Sequence, residues 1–144
     1  MLEILVVIII IGATSAIALP RLRDLRDARQ AGAAADAFVR EHELARVTAV
    51  RFGRDAMLHI DTANVAFWVS ADTNGLGNPA QIGLRVSYKA PGVKLASADT
   101  LLCFDMRGLR SARGTCQSGA TIVTFTRFAH SDTLQITGLG KVLR

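Results

Sequence analysis

Three patterns of hydrophobic and polar positions follow one another along the chain. Residues 4–19 carry no charge: residues 4–11 are an unbroken aliphatic run, ILVVIIII, and small and apolar residues extend it from Gly12 to Leu19, ahead of Pro20. Residues 21–52 are rich in Ala, Leu, Arg, Glu and Gln, all good helix formers. Within them Phe38, Ala45, Ala49 and Phe52 recur at intervals of seven, four and three, which predicts one apolar helix face able to dock on a sheet. The first two patterns therefore predict one long helix. Pro20, which lacks an N–H, is expected to kink it, with Gly12 a second point of weakness, and Gly53 is its natural C-cap.

Beyond Gly53 the period falls to two. Residues 56–60, 65–70, 85–88, 93–96, 101–105, 120–128 and 133–137 read as strands. Turns are expected at residues 61–64, in the Asp72–Gly75 loop and at Pro91-Gly92. Strands joined by short turns argue for antiparallel sheets packed against the helix, an α+β fold. The organisation expected is a hydrophobic helix segment (1–20), an amphipathic continuation (21–53) and a β-rich head (54–144), with no internal repeat and no low-complexity linker.

Charge changes this picture modestly. Lys and Arg number 17 against 12 Asp and Glu, a net +5. That surplus suits anionic partners such as lipid headgroups or nucleic acid, and is also an ordinary solubility charge. Seven of the cations fall between Arg21 and Arg51, and Arg23, Arg26 and Arg29 with Asp24 and Asp27 are expected on the exposed sides of the helix in i,i+3 pairs. Cys103 and Cys116 have twelve residues between them. In an exported domain they would form a disulfide clasp of about 2–3 kcal/mol, and in a cytosolic one two separate buried thiols. No CxxC or paired His accompanies them, so zinc is not expected.

No catalytic arrangement emerges, and neither an enzymatic activity nor a cofactor or metal is expected. His42, His59 and His130 lack metal-ligand spacing and read as surface or satisfied histidines. There is no G-x-S-x-G, P-loop or G-x-G-x-x-G. Asp72-Thr-Asn-Gly75 begins like a calcium loop but lacks the later glutamate, and reads as a side-chain-capped turn.

Glu3 is the costly residue. A carboxylate in a membrane-length segment costs roughly 2.5–3.5 kcal/mol at the bilayer centre and less near the interface, which makes it a functional candidate that needs a partner. Residues 4–19 would span about 24 Å as a helix, slightly short of a hydrocarbon core of about 30 Å, and tilt or partial burial in protein would make up the difference. A cleaved secretory signal is one rival reading, because Ala16-Ile17-Ala18 has the A-x-A form, but the preceding region carries Glu3 in place of Lys or Arg. An ordinary anchor is another, but it has no use for an acid at this position. The arginines after Pro20 would place its head in the cytoplasm. A further reading of Glu3 places it merely at headgroup depth, favoured by the helix N-terminus.

The string MLEILVVIIIIGATSAIALPR resembles the N-terminus of type IV pilins and type II secretion pseudopilins. Glu3 matches that family's glutamate, Gly12 its mid-segment glycine and Ala18-Leu19-Pro20 its closing tripeptide. The head narrows the likeness: the helix end from Ala45 to Gly53, the Phe67-Trp68-Val69 strand followed by Asp72-x-Asn74-Gly75, Phe104-Asp105-x-Arg107-Gly108 and Ile136 to Lys141 resemble the GspH/FimT minor pilin class.

The resemblance implies a pilin-like fold and a single-pass subunit in a bacterial inner membrane with its head in the periplasm. Its partners would be other pilin or pseudopilin subunits through the N-terminal helix, membrane lipid before assembly, and prepilin peptidase acting on a full-length precursor. Such a subunit enters a type II secretion pseudopilus or a type IV pilus, where Glu3 would pair with the N-terminal, methylated amine of a neighbour. A major pilin of the filament shaft is the structural alternative. Some members of the FimT branch are thought to capture DNA with a basic C-terminal Gly-Arg-x-Arg. Here the tail is Gly140-Lys141-Val-Leu-Arg144, with Arg107, Arg110, Arg113 and Arg127 as further cations, and no aromatic residues interleave with them.

The family's leader, cleavage glycine and first two mature residues have no counterpart before Met1-Leu2-Glu3. The upstream DNA, read in frame, is expected to encode a basic leader ending in Gly-Phe-Thr, which would make Glu3 the fifth residue of the mature chain. A stop codon directly upstream would contradict this.

Overall fold

The computed structural model describes residues 2–88, 90, 92–117 and 119–144, with side chains for all of these except Leu2, Leu5 and Ile17. Met1 and Pro91, on which two of the expectations above fall, lie outside the described residues. Helix α1 (Leu2–Phe52) runs for 51 residues, about 76 Å at the usual rise, and passes through Gly12 and Pro20 without a break. Pro20 has no N–H to give to the carbonyl one turn earlier. In the same segment the Thr14 hydroxyl donates to the carbonyls of Ile10 and Ile11 (2.9 and 3.1 Å), so this polar group is satisfied by the helix itself. The helix ends where Gly53 turns left-handed (φ 60°): Gly53 N–H bonds to Val50 O (3.3 Å) and Arg54 N–H to Ala49 O (3.2 Å). This is a Schellman end, and it requires a residue without a Cβ penalty at Gly53.

The head is two antiparallel four-stranded sheets. β1 (Ala56–Asp61), β2 (Ala66–Ala71), β3 (Ala80–Ser87) and β5 (Leu101–Phe104) form the first, in the order β3-β2-β1-β5. β4 (Val93–Ser97), β6 (Thr121–Arg127), β7 (His130–Ile136) and β8 (Val142–Leu143) form the second, in the order β4-β6-β7-β8. Register aligns the buried residues into rows: Leu58 sits opposite both Val69 and Leu102, and Val123 opposite Leu134. Both sheets turn these rows toward the second half of α1.

That half presents a stripe of Ala31, Ala34, Ala35, Phe38, His42, Ala45 and Ala49, all buried. The alanines let the helix lie close to the sheets, and Phe38 fills the space between them. Its ring meets Phe67 of β2 edge-on (centroids 5.4 Å) and Phe125 of β6 (5.9 Å), and those two meet each other at 6.4 Å. Three rings thus join the helix and both sheets, each pair contributing about 0.5–1.5 kcal/mol beyond the area it buries.

Several expectations are corrected. Phe52 is 38% exposed and lies outside the buried stripe, which ends at Ala49 because the helix stops within a turn of it. Asp24 and Asp27 do not pair along the helix: Asp24 meets His130 (2.7 Å) and Asp27 meets Arg127 (2.7 Å), both on the head. β3 begins five residues earlier than the period predicts. It is an edge strand with almost no buried side chains, a left-handed Gly83 (φ 73°) and an irregular register against Phe67–Val69, so no alternation marks it. β8 is two residues long and has no pattern of its own.

His42 is buried, its ring edge-on to Phe104 (5.0 Å), and neither ring nitrogen has a hydrogen-bond partner among the described residues. Burial lowers its pKa to about 4, against the opposing pull of Glu43, whose carboxylate lies 3.7 Å away. The native state therefore holds neutral imidazole while the unfolded chain binds a proton below its ordinary value of about 6.5. Stability is expected to fall as pH drops from about 6.5 to 4, by up to about 3 kcal/mol. His42→Leu should flatten melting temperature across that window; a slope identical to the parent's would refute the assignment. At neutral pH, Phe38→Ala should cost about 3–5 kcal/mol in denaturant titration, with Phe52→Ala below that range.

Candidate functional site

Two regions carry the residues singled out by sequence. The first is the free half of α1. Ile4, Val6, Val7, Ile8, Ile9, Ile10 and Ile11 are all exposed, Ile8 at 64%, and Leu19, Leu22 and Leu25 extend the apolar surface beyond Pro20. The segment is long and apolar enough to cross a membrane, and none of its most apolar stretch is buried within the chain. Glu3 is exposed in the first turn, where the positive end of the helix dipole favours a carboxylate. Among the described residues the ion pairs nearest this end are Asp24–His130 and Asp27–Arg127, which hold the helix to the β6–β7 turn (128–129).

The second region is the set of cations considered for DNA. The fold disperses them. Arg110 is buried: its guanidinium donates to the carbonyls of Gly119 (2.8 Å) and Gln117 (2.6 Å), to Thr121 Oγ1 (2.7 Å) and to Asp99 (3.4 Å). The Thr121 hydroxyl in turn donates to Asp99. This cluster ties the loop after β5 to β6, and sequence offered no signal for it beyond an arginine among apolar strands. Arg144 bonds Asp36 of α1 (2.8 Å) and Asp132 of β7, fastening the tail to the helix. Those two carboxylates raise its pKa. Arg107 pairs with Asp105 (3.0 Å) and Arg113 with Asp55 (3.0 Å), both largely exposed. Lys141 is exposed. Arg127, the remaining cation of that set, is the partner of Asp27.

Cys103 of β5 and Cys116 form a disulfide, which pins the loop carrying Arg110 and Arg113 to the first sheet. The histidines are separated. His59 Nε2 meets Ser70 Oγ (2.8 Å) and its ring stacks on Trp68 (4.9 Å), whose face also carries the Arg85 guanidinium (4.3 Å). Among the described residues no group of three or more His, Cys, Asp or Glu is gathered to hold a metal. The Asp72 carboxylate accepts the amides of Gly75 (2.8 Å) and Gly77 (3.1 Å) and faces Arg54 (3.4 Å), which is a capped turn. Desolvation alone would raise its pKa, but these donors outweigh it and hold the carboxyl below its ordinary value.

One residue that sequence did not single out stands apart. Phe128, in the β6–β7 turn, is 72% exposed and has φ 50°. Its ring lies against Gly92 and below the Arg127 guanidinium (5.3 Å).

No protein-family model and no curated protein sequence matches the chain. Solved structures do. The type IV minor pilin FimU of Pseudomonas aeruginosa superposes with a TM-score of 0.63 at 13% identity, over 80% of this chain and 87% of its own. The minor pseudopilin EpsH from the type 2 secretion system of Vibrio cholerae superposes at 0.60 and 14% identity, over 79% and 94%, and a second structure of EpsH at 0.61 and 11%, over 81% and 95%. At such identities the likeness is one of fold: this chain has the α+β fold of minor pilins and minor pseudopilins, a long N-terminal helix packed on antiparallel sheets.

Proposed function

We propose that the chain is a structural subunit, a minor pilin or minor pseudopilin, held first in a bacterial inner membrane by a single helix and then drawn into a type II secretion pseudopilus or a type IV pilus. Its head would lie on the periplasmic side, and no enzymatic step is assigned to it. The observation that carries this reading is the apolar first half of α1, whose described side chains are exposed and find no partner among the described residues. Seven aliphatic side chains left half-exposed represent roughly 1 kcal/mol each, on the order of 5–10 kcal/mol of burial available to lipid or to neighbouring helices. Fold likeness to FimU and EpsH supports the same reading, and the disulfide suits an exported head.

Glu3 supplies specificity that apolar burial lacks. At the lip of a bilayer its carboxylate keeps water or headgroups as partners; inside a bundle of helices it would be left uncompensated unless a cation meets it. We assign it to an N-terminal ammonium on an adjacent subunit, a pairing that fixes the axial register of one helix against the next.

The experiment is to express Glu3→Ala in cells that assemble the filament and to compare membrane and sheared-filament fractions by immunoblot. The variant should remain in the membrane at parental level and be depleted from filaments at least about tenfold, the consequence of roughly 1.4 kcal/mol or more of lost pairing. Normal incorporation would remove the assembly role of Glu3. Abundant parental copies along the whole shaft would overturn the minor-subunit assignment.

A further inference from the structure

Phe128 combines two unfavourable features at one position. Residues 127 and 130 pair across the β6–β7 hairpin, leaving Phe128 and Ala129 as a two-residue turn whose first position has φ 50°. Glycine is the residue that such a position favours, and a bulky aromatic there is strained. The same side chain is 72% exposed. Its contacts with Gly92 and the Arg127 guanidinium leave most of the ring exposed, and strain kept together with that exposed surface points to something outside the chain that the ring touches.

The helix fixes where that ring sits. His130, two residues on, bonds Asp24, and Arg127 bonds Asp27. Asp24 is five residues past Leu19, the end of the uncharged stretch, which is about 7.5 Å along the axis. The turn therefore hangs at the level where the apolar segment gives way to charge. At the same level along the helix stand Arg21, Arg23, Arg26 and Arg29, spread around its circumference and exposed, none of which makes an ion pair among the described residues. The acidic groups at this level, Asp24 and Asp27, are both turned to the head. At this level of the molecule five arginines, counting Arg127, thus stand against two aspartates, with one exposed aromatic ring among the charges of that layer. An exposed aromatic ring at the same level as a girdle of arginines, at the end of a bilayer-length helix, has the chemistry of a headgroup-level contact.

We propose that the underside of the head, the β6–β7 turn with Phe128 at its tip together with the arginine-bearing helix surface at residues 21–29, is a lipid-contact surface that seats in an anionic headgroup layer before assembly. This rests on the membrane-anchor reading above. Seated there, the ring fixes the tilt of the head over the bilayer, and withdrawal into a filament would release it.

The test uses the full chain, disulfide intact, in phosphatidylcholine vesicles with and without phosphatidylglycerol, with a single fluorophore on an added cysteine and a quencher at headgroup depth. Ala129→Cys reports the turn. Ile9→Cys, read with an acyl-chain quencher, reports insertion of the helix. Leu139→Cys, beside Gly140 and hence near Phe104 and the far end of the head, is the distant control. Quenching is expected at position 129, stronger with phosphatidylglycerol, and not at 139. Phe128→Gly, which relieves the backbone, should leave the melting temperature equal or higher yet shift the docked-to-undocked ratio about tenfold toward undocked.

Quenching at 9 without quenching at 129 overturns the lipid contact while sparing the anchor. Loss at both positions means the anchor reading has failed and takes this proposal with it. Quenching at 129 that Phe128→Gly leaves unchanged, or that ignores phosphatidylglycerol, also overturns it.

Discussion

Phe38 is where the helix and the two sheets meet, and the rest of the head is arranged around that contact. A four-stranded sheet has one face to bury, and here two sheets use the same strip of helix to bury theirs. The strip can serve both only because its other positions are small: Ala31, Ala34, Ala35, Ala45 and Ala49 bring backbone to backbone, and a single large ring fills the gap between Phe67 and Phe125. A larger residue at any of those alanines would hold one sheet away and open the space that Phe38 fills. The helix is accordingly a structural member of the head over its second half, and its direction is fixed by the sheets.

That fixed direction is what gives the first half its meaning. A helix continuous from Leu2 to Phe52 transmits the orientation of its docked half into the apolar half, through Pro20, with nothing but backbone geometry. Asp27–Arg127 and Asp24–His130 extend the grip one and two turns below the alanine stripe, through charge where the sheets have run out of apolar surface. The Arg127 side chain is mostly shielded from water and is worth more to this grip than an exposed pair, for which about 0–1 kcal/mol is typical. Below residue 24 no ion pair to the head is found among the described residues, and charge leaves the helix at nearly the same point. The end of the head and the start of the apolar segment therefore coincide within about two turns.

Much of this was legible in sequence because it is periodic. The helix, its Gly53 terminus, Phe38 on the inner face and most strands follow from spacing and from turn residues. β3 was half-read because an exposed edge strand has no face to mark, and β8 because two residues make no pattern. What sequence could not give was the partners of the charges. Arg113 and Asp55 are 58 residues apart, Arg127 and Asp27 100, and Arg144 and Asp36 108. Such pairs exist only once strand order is set, so local spacing proposed i,i+3 partners for Asp24 and Asp27 that the fold replaces. Phe128 escaped for the opposite reason: an apolar residue at a strand end looks like strand, and only the backbone angle reveals that it occupies a turn.

The same long-range pairing changes how the basic character of the chain is read. A net charge of +5 looks like a surface available to any polyanion, yet Arg46, Arg54, Arg85, Arg107, Arg110, Arg113, Arg127 and Arg144 each face a carboxylate. An arginine already paired neutralises a phosphate only by giving up or sharing its partner, and the counterion release that drives polyanion binding falls accordingly. Arg110 is removed from the surface altogether. Among the described residues the arginines that form no ion pair are Arg21, Arg23, Arg26, Arg29, Arg40 and Arg51, and four of these six lie at the foot of the helix. The largest group of unpaired arginines thus stands at one level of the molecule, where the apolar segment begins. That combination is the basis on which a lipid surface, which presents anionic groups and hydrocarbon within a few ångströms of each other, is proposed above as the contact at this level, whereas a nucleic acid backbone offers the charge without the hydrocarbon.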